Sequence, residues 1–390
     1  MQKMFLETGA KGDCFGCETC LQVCPCNCMK LEYSFNKFWY PVVDHNKCNE
    51  CGLCRQVCPF PNVKEMLFDF KQQDVYAACS KNENVRLNST SGGIFTELSI
   101  PILQEGGVVF GAVLTSDFQV EHKSAKSIAQ LEKLRGSKYV QSRIGQTYGE
   151  AKSYLENGTS VLFSGTPCQI AGLRKYLRRD YDKLITVDII CHGVLSPDIA
   201  TYHIKDLEKQ YGSKAAKVKF RDKRQGWKKS CSFSIEFENG EVYCKREKND
   251  RFYSMFFGNY DLRESCYSCP FTSPDRVGDI TLGDFWGIEK SKPHLFDDKG
   301  HSIVLVNSDK GKKYFAECLE RIFCEKTNIE DTSQAKLQHP TEPDIWRKYY
   351  LRSIRKRGLE KTVDAFSRPR PLWKKGLRYT QRNLKAFFAR

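Results

Sequence analysis

The sequence predicts an α/β protein, α+β overall. A small cysteine-rich module comes first, then a mixed α/β domain with a mainly parallel sheet and a β-hairpin insertion, then a helical basic tail. Three observations carry this. Two cysteine runs of one pattern lie between Cys14 and Pro59. A strand–helix–strand unit, the building block of a parallel sheet with a right-handed crossover, follows between Ser160 and Ile190. From Ile345 to Arg390 there are 15 Lys and Arg against only Glu360 and Asp364. The expected segments are residues 1–66, 74–335 and 336–390.

The first run reads Cys14-Phe-Gly-Cys17-Glu-Thr-Cys20-Leu-Gln-Val-Cys24-Pro25, and the second Cys48-Asn-Glu-Cys51-Gly-Leu-Cys54-Arg-Gln-Val-Cys58-Pro59. Each is Cys-x2-Cys-x2-Cys-x3-Cys-Pro, the spacing of bacterial two-cluster ferredoxins, in which the fourth cysteine of a run ligates the other run's cluster. The spacing predicts one 4Fe–4S cluster on Cys14, Cys17, Cys20 and Cys58, and another on Cys48, Cys51, Cys54 and Cys24. Three thiolates in a tight loop cap three corners of a cube, and the fourth, starting a short helix, reaches the neighbouring cube. Zinc sites share the Cys-x2-Cys step but do not need four cysteines at this spacing, followed each time by proline. Cys26 and Cys28 are surplus and are expected to pack around the cluster or to meet solvent.

Composition sets the compartment. Nineteen cysteines in 390 residues would suggest disulfides in a short secreted chain, but here they sit in cluster-ligand spacings of a long one. A reducing, cytoplasmic location follows. The start carries no apolar core of signal-peptide length, and no apolar run approaches the ~18 residues of a membrane-crossing helix. The net charge of +15 is concentrated in the tail, which leaves a nearly neutral body and argues against a general nucleic-acid binder.

Phe60 to Asp74 reads as a linker and Val75 to Cys79 as a strand. Asn88-Ser-Thr-Ser-Gly-Gly93 precedes a helix from Ile94 to Leu103. Hydroxyls and paired glycines before a helix make an anion cradle of free amides, although Ser91 could serve only as an N-cap. Gly107 to Leu114 is a buried strand. Arg135 to Ser142 is a polar loop with no structural purpose of its own, the signature of a binding loop. Ser160-Val-Leu-Phe-Ser-Gly-Thr-Pro-Cys168 is a short apolar strand ending in a turn, where Thr166 N-caps a helix with Pro167 at its first position, running through Gln169 to about Arg179. Leu184 to Ile190 is the next strand, and Cys191-His-Gly193 ends it. Cys168 and Cys191 thus both leave carboxyl ends of parallel strands, the edge at which open α/β sheets bind ligands.

Lys229 to Lys245 reads as a hairpin on a two-residue Asn239-Gly240 turn. That register sets Phe237 opposite Val242 and Ile235 opposite Cys244, with Cys231 and Cys244 on its apolar face as core. His301 to Asn307 is a strand. Lys312 to Phe323 is a helix whose Phe315, Cys318, Leu319 and Ile322 recur at helical spacing, which makes Cys318 core. Cys168, Cys191, Cys266 and Cys269 remain, enough for a third metal site. A third 4Fe–4S cluster and a structural zinc both fit that spacing.

With these residues in view the chain resembles the beta-subunit family of the coenzyme F-420-reducing hydrogenases and dehydrogenases. The stretches that carry the resemblance are Ser89 to Gly93, Gly136 to Ser142, Gly165-Thr-Pro-Cys-Gln-Ile-Ala-Gly-Leu-Arg174, Cys191-His-Gly193, and Cys266-x2-Cys269 with Gly278 to Asp284. Phe220-Arg-Asp-Lys-x2-Gly-Trp227 and Gly283-Asp-Phe-Trp-Gly287 resemble a bacterial branch associated with surface-polysaccharide gene sets. The resemblance implies a flavin-binding domain holding FAD, and a third 4Fe–4S cluster on the four remaining cysteines. It puts Ser89, Thr90, Ser91, Gly92, Gly93, Lys138, Tyr139, Gln141, Ser142, Gly165 and Thr166 on the flavin. It further implies a hydride exchanged with a deazaflavin or nicotinamide-type substrate, and a redox partner protein or reduced cofactor. It names no catalytic acid or base. His192, beside a ligand, either relays protons, bonds a sulfur or holds its loop.

The tail, if helical, gathers Trp373, Leu377, Leu384, Phe387 and Phe388 broadly on one side with Lys and Arg elsewhere. An anionic membrane surface, at the inner face of the membrane, and an acidic partner both suit such a helix. Nucleic acid suits it less, because no recognisable fold accompanies the charge. Three functions stand at this stage: an iron–sulfur flavin-dependent oxidoreductase, an electron-transfer adaptor without substrate chemistry, and an interaction protein braced by its clusters. The first has the largest number of motifs behind it.

Overall fold

A computed structural model describes residues 3–228 and 232–367. The expected core position of Cys231 and the apolar stripe from Trp373 to Phe388 lie outside the described residues. The cysteine module carries one small hairpin, β1 (Met29–Tyr33) against β2 (Trp39–Val43). The body begins at β3 (Asp74–Ser80) and continues through β4 (Val108–Leu114), β5 (Val120–Ala125), β6 (Val161–Gly165) and β7 (Leu184–Ile189). β8 (Ala215–Asp222), β9 (Ser232–Phe237) and β10 (Val242–Arg246) form a separate three-stranded meander. β11 (Ile280–Asp284), β12 (Ser302–Val306) and β13 (Ile322–Lys326) complete the main sheet.

That sheet has the order β13-β3-β12-β11-β7-β6-β4-β5. Its centre, β4, β6, β7 and β11, is parallel, and antiparallel strands flank it on both sides. Alternation along the central strands explains why it is covered on both faces. Leu162, Ile185 and Val187 pack against the helices Ile94–Gln104 and Asp309–Cys318. Val161, Phe163 and Leu184 pack against Thr147–Glu156 and Pro167–Leu177.

The strand–helix–strand unit stands as expected. Thr166 caps Pro167–Leu177 in a capping box with Gln169, and β6 and β7 are parallel neighbours. Four expectations shift. Phe60 to Asp74 is no loose linker: it forms the 3-10 turns Phe60–Met66 and Phe70–Gln72 and buries Val63 and Met66 in the body's core. The helix expected to run to Phe323 ends at Cys318, a fully buried core residue, because β13 takes Ile322 onward to pair with β3.

The third shift is in the hairpin, which closes through three residues, with Phe237 N–H donating to Glu241 O at 2.9 Å and Gly240 at φ +85°. A three-residue loop with a left-handed glycine slips the register by one, so Cys244 faces Ser234 and is half-buried, not core. The fourth concerns the segment expected as tail: the helices Arg347–Arg357 and Leu359–Ser367 bury Tyr350, Ile354 and Val363 in the body.

The module is docked, not tethered. The helix Pro167–Leu177 passes so close that a Cβ on Gly172 would stand 2.6 Å from Thr19 Oγ1 and 2.9 Å from Cys17 Cβ. Glu18, 5 % exposed, accepts from Arg143 Nε at 2.8 Å and from the Gly145 amide at 3.1 Å.

Candidate functional site

Cys14, Cys17, Cys20 and Cys58 line one cavity, as the crossed ligand pattern requires. Burial, aided by the neighbouring thiolates, pushes the Cys17 and Cys58 thiols up to about 12. The other four thiols gather near the surface, with Cys51 exposed. Cys28 joins them. It is 3 % exposed, stands 3.3 Å from Cys24 Sγ and also bonds Cys48, contacts that raise its thiol to about 12. Cys28 therefore packs against two of these thiols, Cys24 and Cys48.

Cys168, Cys191, Cys266 and Cys269 converge on a second cavity. Cys168 leaves β6 and Cys191 leaves β7, while Cys266 and Cys269 arrive on the turn Glu264–Ser268 and its successor. Burial raises all four thiols, Cys168 to about 11 and Cys269 to about 12, and charge on the neighbouring thiols raises Cys168, Cys266 and Cys269 further. Among the described residues no three Cys, His or carboxylate side chains meet at a point a single ion could take. The four cysteines share the lining of one cavity. Gly193 makes room for them: a Cβ there, at φ +129°, would lie 3.2 Å from Cys266 Cβ.

Asp188 and Arg276 hang the Cys266–Cys269 loop on the sheet. Asp188, wholly buried, accepts from Arg276 Nη2 at 3.0 Å and from the amides of Val277 and Gly278 at 3.2 and 3.0 Å. Arg276 Nη1 in turn donates to the carbonyls of Phe271 and Ser273.

Against this second cavity lies a larger one of about 380 Å³, at the carboxyl edge of the parallel strands. Val140, Ser142, Thr166, Gln169, Cys191 and His192 belong to both walls. Of the residues expected on a flavin, Ser89, Thr90, Ser91, Gly93, Lys138, Tyr139, Ser142, Gly165 and Thr166 line the large cavity. The structure keeps two of them off it. A Cβ on Gly92 would lie 2.4 Å from Ala78 O, so this glycine serves close backbone packing. Gln141 faces the four-cysteine cavity and the module, where its Oε1 accepts from Arg263 at 3.1 Å.

The hydroxyl loop works differently from the expected cradle. Ser89 and Ser91 donate to the carbonyls of Val85 and His301, and Thr90 accepts from the Ser137 amide. The hydroxyls thus fix loops to one another. What faces the cavity is the start of the helix Ile94–Gln104, which has no side-chain cap and follows Gly93 at φ +87°. Such an uncapped end offers free amides and a positive dipole to an anion. Lys138 caps the end of the helix Ile128–Leu134, with Nζ donating to the carbonyls of Lys133, Leu134 and Arg135 at 3.3, 3.0 and 2.8 Å, and burial draws its pKa down to about 7. Tyr139 holds a left-handed φ of +52°, uncommon for a bulky residue and a mark of functional loops.

His122, unremarked in the sequence, receives the Ser142 hydroxyl on Nδ1 at 3.0 Å and faces Ser164 O with Nε2 at 3.1 Å; burial pulls its pKa to about 4 and keeps it neutral. His192 is also neutral, pulled to about 4 by burial, and its Nε2 donates to Asn259 Oδ1 at 2.9 Å. Its ring therefore holds the loop while lying on both cavity walls.

The fold and the gathered thiols define an iron–sulfur α/β protein. Family models place it more closely. Residues 13–62 match a 4Fe-4S dicluster domain. Residues 75–146 and 158–332 match the N-terminal and C-terminal parts of the coenzyme F420 hydrogenase/dehydrogenase beta subunit. The chain belongs to that family. It is 20 % identical over 324 residues to one of the subunits of the F(420)H(2) dehydrogenase of Methanosarcina mazei, covering 77 % of this chain and 81 % of the relative. The pyruvate synthase subunit PorD of Methanothermobacter marburgensis is 31 % identical over 62 residues, 16 % of this chain and 63 % of that one. Among solved structures, the F420-reducing [NiFe] hydrogenase complex from Methanosarcina barkeri aligns at a TM-score of 0.44 with 20 % identity, over 75 % of this chain and 90 % of that one. No helix among the described residues is long and apolar enough to cross a membrane.

Proposed function

We propose that the protein is an iron–sulfur flavoprotein oxidoreductase. It holds FAD in the 380 Å³ cavity and a third 4Fe–4S cluster on Cys168, Cys191, Cys266 and Cys269. The observation that carries this reading is contiguity. Phe15, Gly16 and Gln141 lie between the module's inner thiols and the four-cysteine cavity, and Thr166, Gln169, Cys191 and His192 lie between that cavity and the large one. The residues fit both groups. Four cysteines on one cavity wall, with no three placed to grip a single ion among the described residues, suit a cube better than a tetrahedral ion, whose ligands meet at one point. The uncapped helix at Gly93 suits the phosphates of a dinucleotide.

A bound flavin supplies exchange of electron pairs as hydride and of single electrons with clusters. The chain's own residues do the rest. The Ile94 helix end binds and orients, and the Gly136 to Ser142 loop closes one wall through the Val140–Leu195 bridge. The neutral His122 and His192 hold that wall without carrying charge into it. The redox partner is a protein or reduced cofactor docking near the exposed Cys51, and the substrate belongs to surface-polysaccharide assembly, a reading resting on the Phe220 and Gly283 motifs alone.

Anaerobic purification with cofactor release tests the proposal. Flavin with about twelve irons and no zinc, three cubes' worth, supports it. About eight irons without flavin would sink the third cluster and the flavin site together, leaving an electron-transfer adaptor.

A further inference from the structure

We propose that Arg263 makes the module's inner cluster, on Cys14, Cys17, Cys20 and Cys58, the more easily reduced of the two ferredoxin clusters. The inference rests on the ligand assignment above. Arg263 is 1 % exposed. Its Nη2 stands 3.2 Å from Cys14 Sγ, its Nε donates to Cys14 O at 3.0 Å, and its Nη1 donates to Trp39 O at 2.9 Å. The Tyr40 ring lies 4.1 Å away on one face.

No carboxylate neutralises this cation among the described residues. Asp261, two positions before it, is taken by Asn36 and Tyr350, and Glu264 pairs with Arg347. A buried guanidinium without an anion is strongly unfavourable. The negative charge that satisfies it is that of the thiolate-bound cluster on Cys14.

Reduction adds one electron, and so one negative charge, to a cluster. A cation touching a ligand sulfur in a buried site favours the reduced form over the oxidised one, and hydrogen bonds to sulfur act in the same sense. The outer thiols take backbone hydrogen bonds, such as the Glu50 amide on Cys48 at 3.4 Å and the Arg55 amide on Cys54, but among the described residues no Lys or Arg side chain bonds Cys24, Cys48, Cys51 or Cys54, and the Arg55 guanidinium is tied to Glu7 at 2.6 Å. Two ligand runs of one spacing are thereby made unequal by a residue of the body. The backbone of Arg263 is bonded to two residues that line the four-cysteine cavity, with its N–H on Val194 O at 3.0 Å and its carbonyl receiving the Cys266 N–H at 2.9 Å. The charge therefore sits on the side of the module that faces the body.

An EPR-monitored redox titration of the anaerobic holoprotein reads the clusters separately. Arg263→Gln is expected to lower the inner cluster's midpoint potential and leave the outer cluster's unchanged, and Arg263→Lys to fall between. A fully iron-loaded Arg263→Gln protein with both potentials at wild-type values overturns the proposal. If Arg263→Gln does not load iron, Cys51→Ser decides, since it perturbs only the outer cluster's signal. The ferredoxin signal that appears first in wild-type reduction must be one that Cys51→Ser leaves unaltered, and the opposite result overturns the proposal. Wild-type iron below about eight per chain, two cubes' worth, overturns the ligand assignment itself and with it this inference.

Discussion

Cys14, Cys17 and Cys20 are held together by a single loop, whereas Cys168, Cys191, Cys266 and Cys269 meet only after a parallel sheet has formed. The first set needs little beyond its own spacing. The second depends on the β6–β7 pairing, on Gly193 leaving room beside Cys266, and on Asp188 and Arg276 suspending the far loop. A local motif tolerates distant change, and a site made by the fold transmits it.

The sharpest test of that contrast is Cys266→Ser. It should remove about four of about twelve irons while leaving the two ferredoxin EPR signals in place; loss of all signals would show the two sets to be one cooperative unit. Asp188→Asn comes next. It strands Arg276 in the core and should destabilise the fold by about 3–5 kcal/mol, read by denaturant unfolding, with iron lost from the body before the module. An unchanged midpoint would mean that the loop is held by other contacts.

Asp261 offers a test by pH. Burial raises its pKa from 3.8 to about 7. The folded pKa lies above the unfolded one, so the native state binds the proton more tightly. The group therefore contributes nothing unfavourable below pH ~4, becomes progressively unfavourable up to pH ~7, and stays so above it, the cost growing by about 1.4 kcal/mol for each pH unit between those two values. Asp261→Asn should thus stabilise the protein at pH 8 by a few kcal/mol relative to wild type, with the gain shrinking toward pH 5. A gain independent of pH would assign the effect to packing. The smallest effect belongs to Gly172→Ala, which pushes the module off the helix Pro167–Leu177 and should lower stability by about 1–3 kcal/mol through overpacking, measured as a lower thermal midpoint with iron content retained.

Legibility followed the same division. The ferredoxin ligands were readable because their pattern is local in sequence. Cys168 and Cys191 were readable at one remove, because a strand–helix–strand unit makes its strands neighbours. The hairpin register was not, since Asn239-Gly240 fits a two-residue turn and a three-residue loop equally well and only packing chose. Lys138 and Gln141 lie in the expected loop, yet one caps a helix and the other turns to the module, because a loop's composition does not say where each side chain points. Arg263 and Arg276 are single residues without a pattern. Asp188, a charge inside the apolar run Leu184 to Ile190, was the one local signal that something must be paired there.

The close fit around Gly172 has a bearing on modularity. A dicluster domain has its ligand spacing within one short stretch of chain, here residues 13–62. In this chain it is no longer interchangeable. Replacing residues 1–66 with a free-standing ferredoxin would leave Arg143 without Glu18 and Gly172 facing a surface not shaped for it. The join has become a matched pair, and sequence change on either side is constrained by the other.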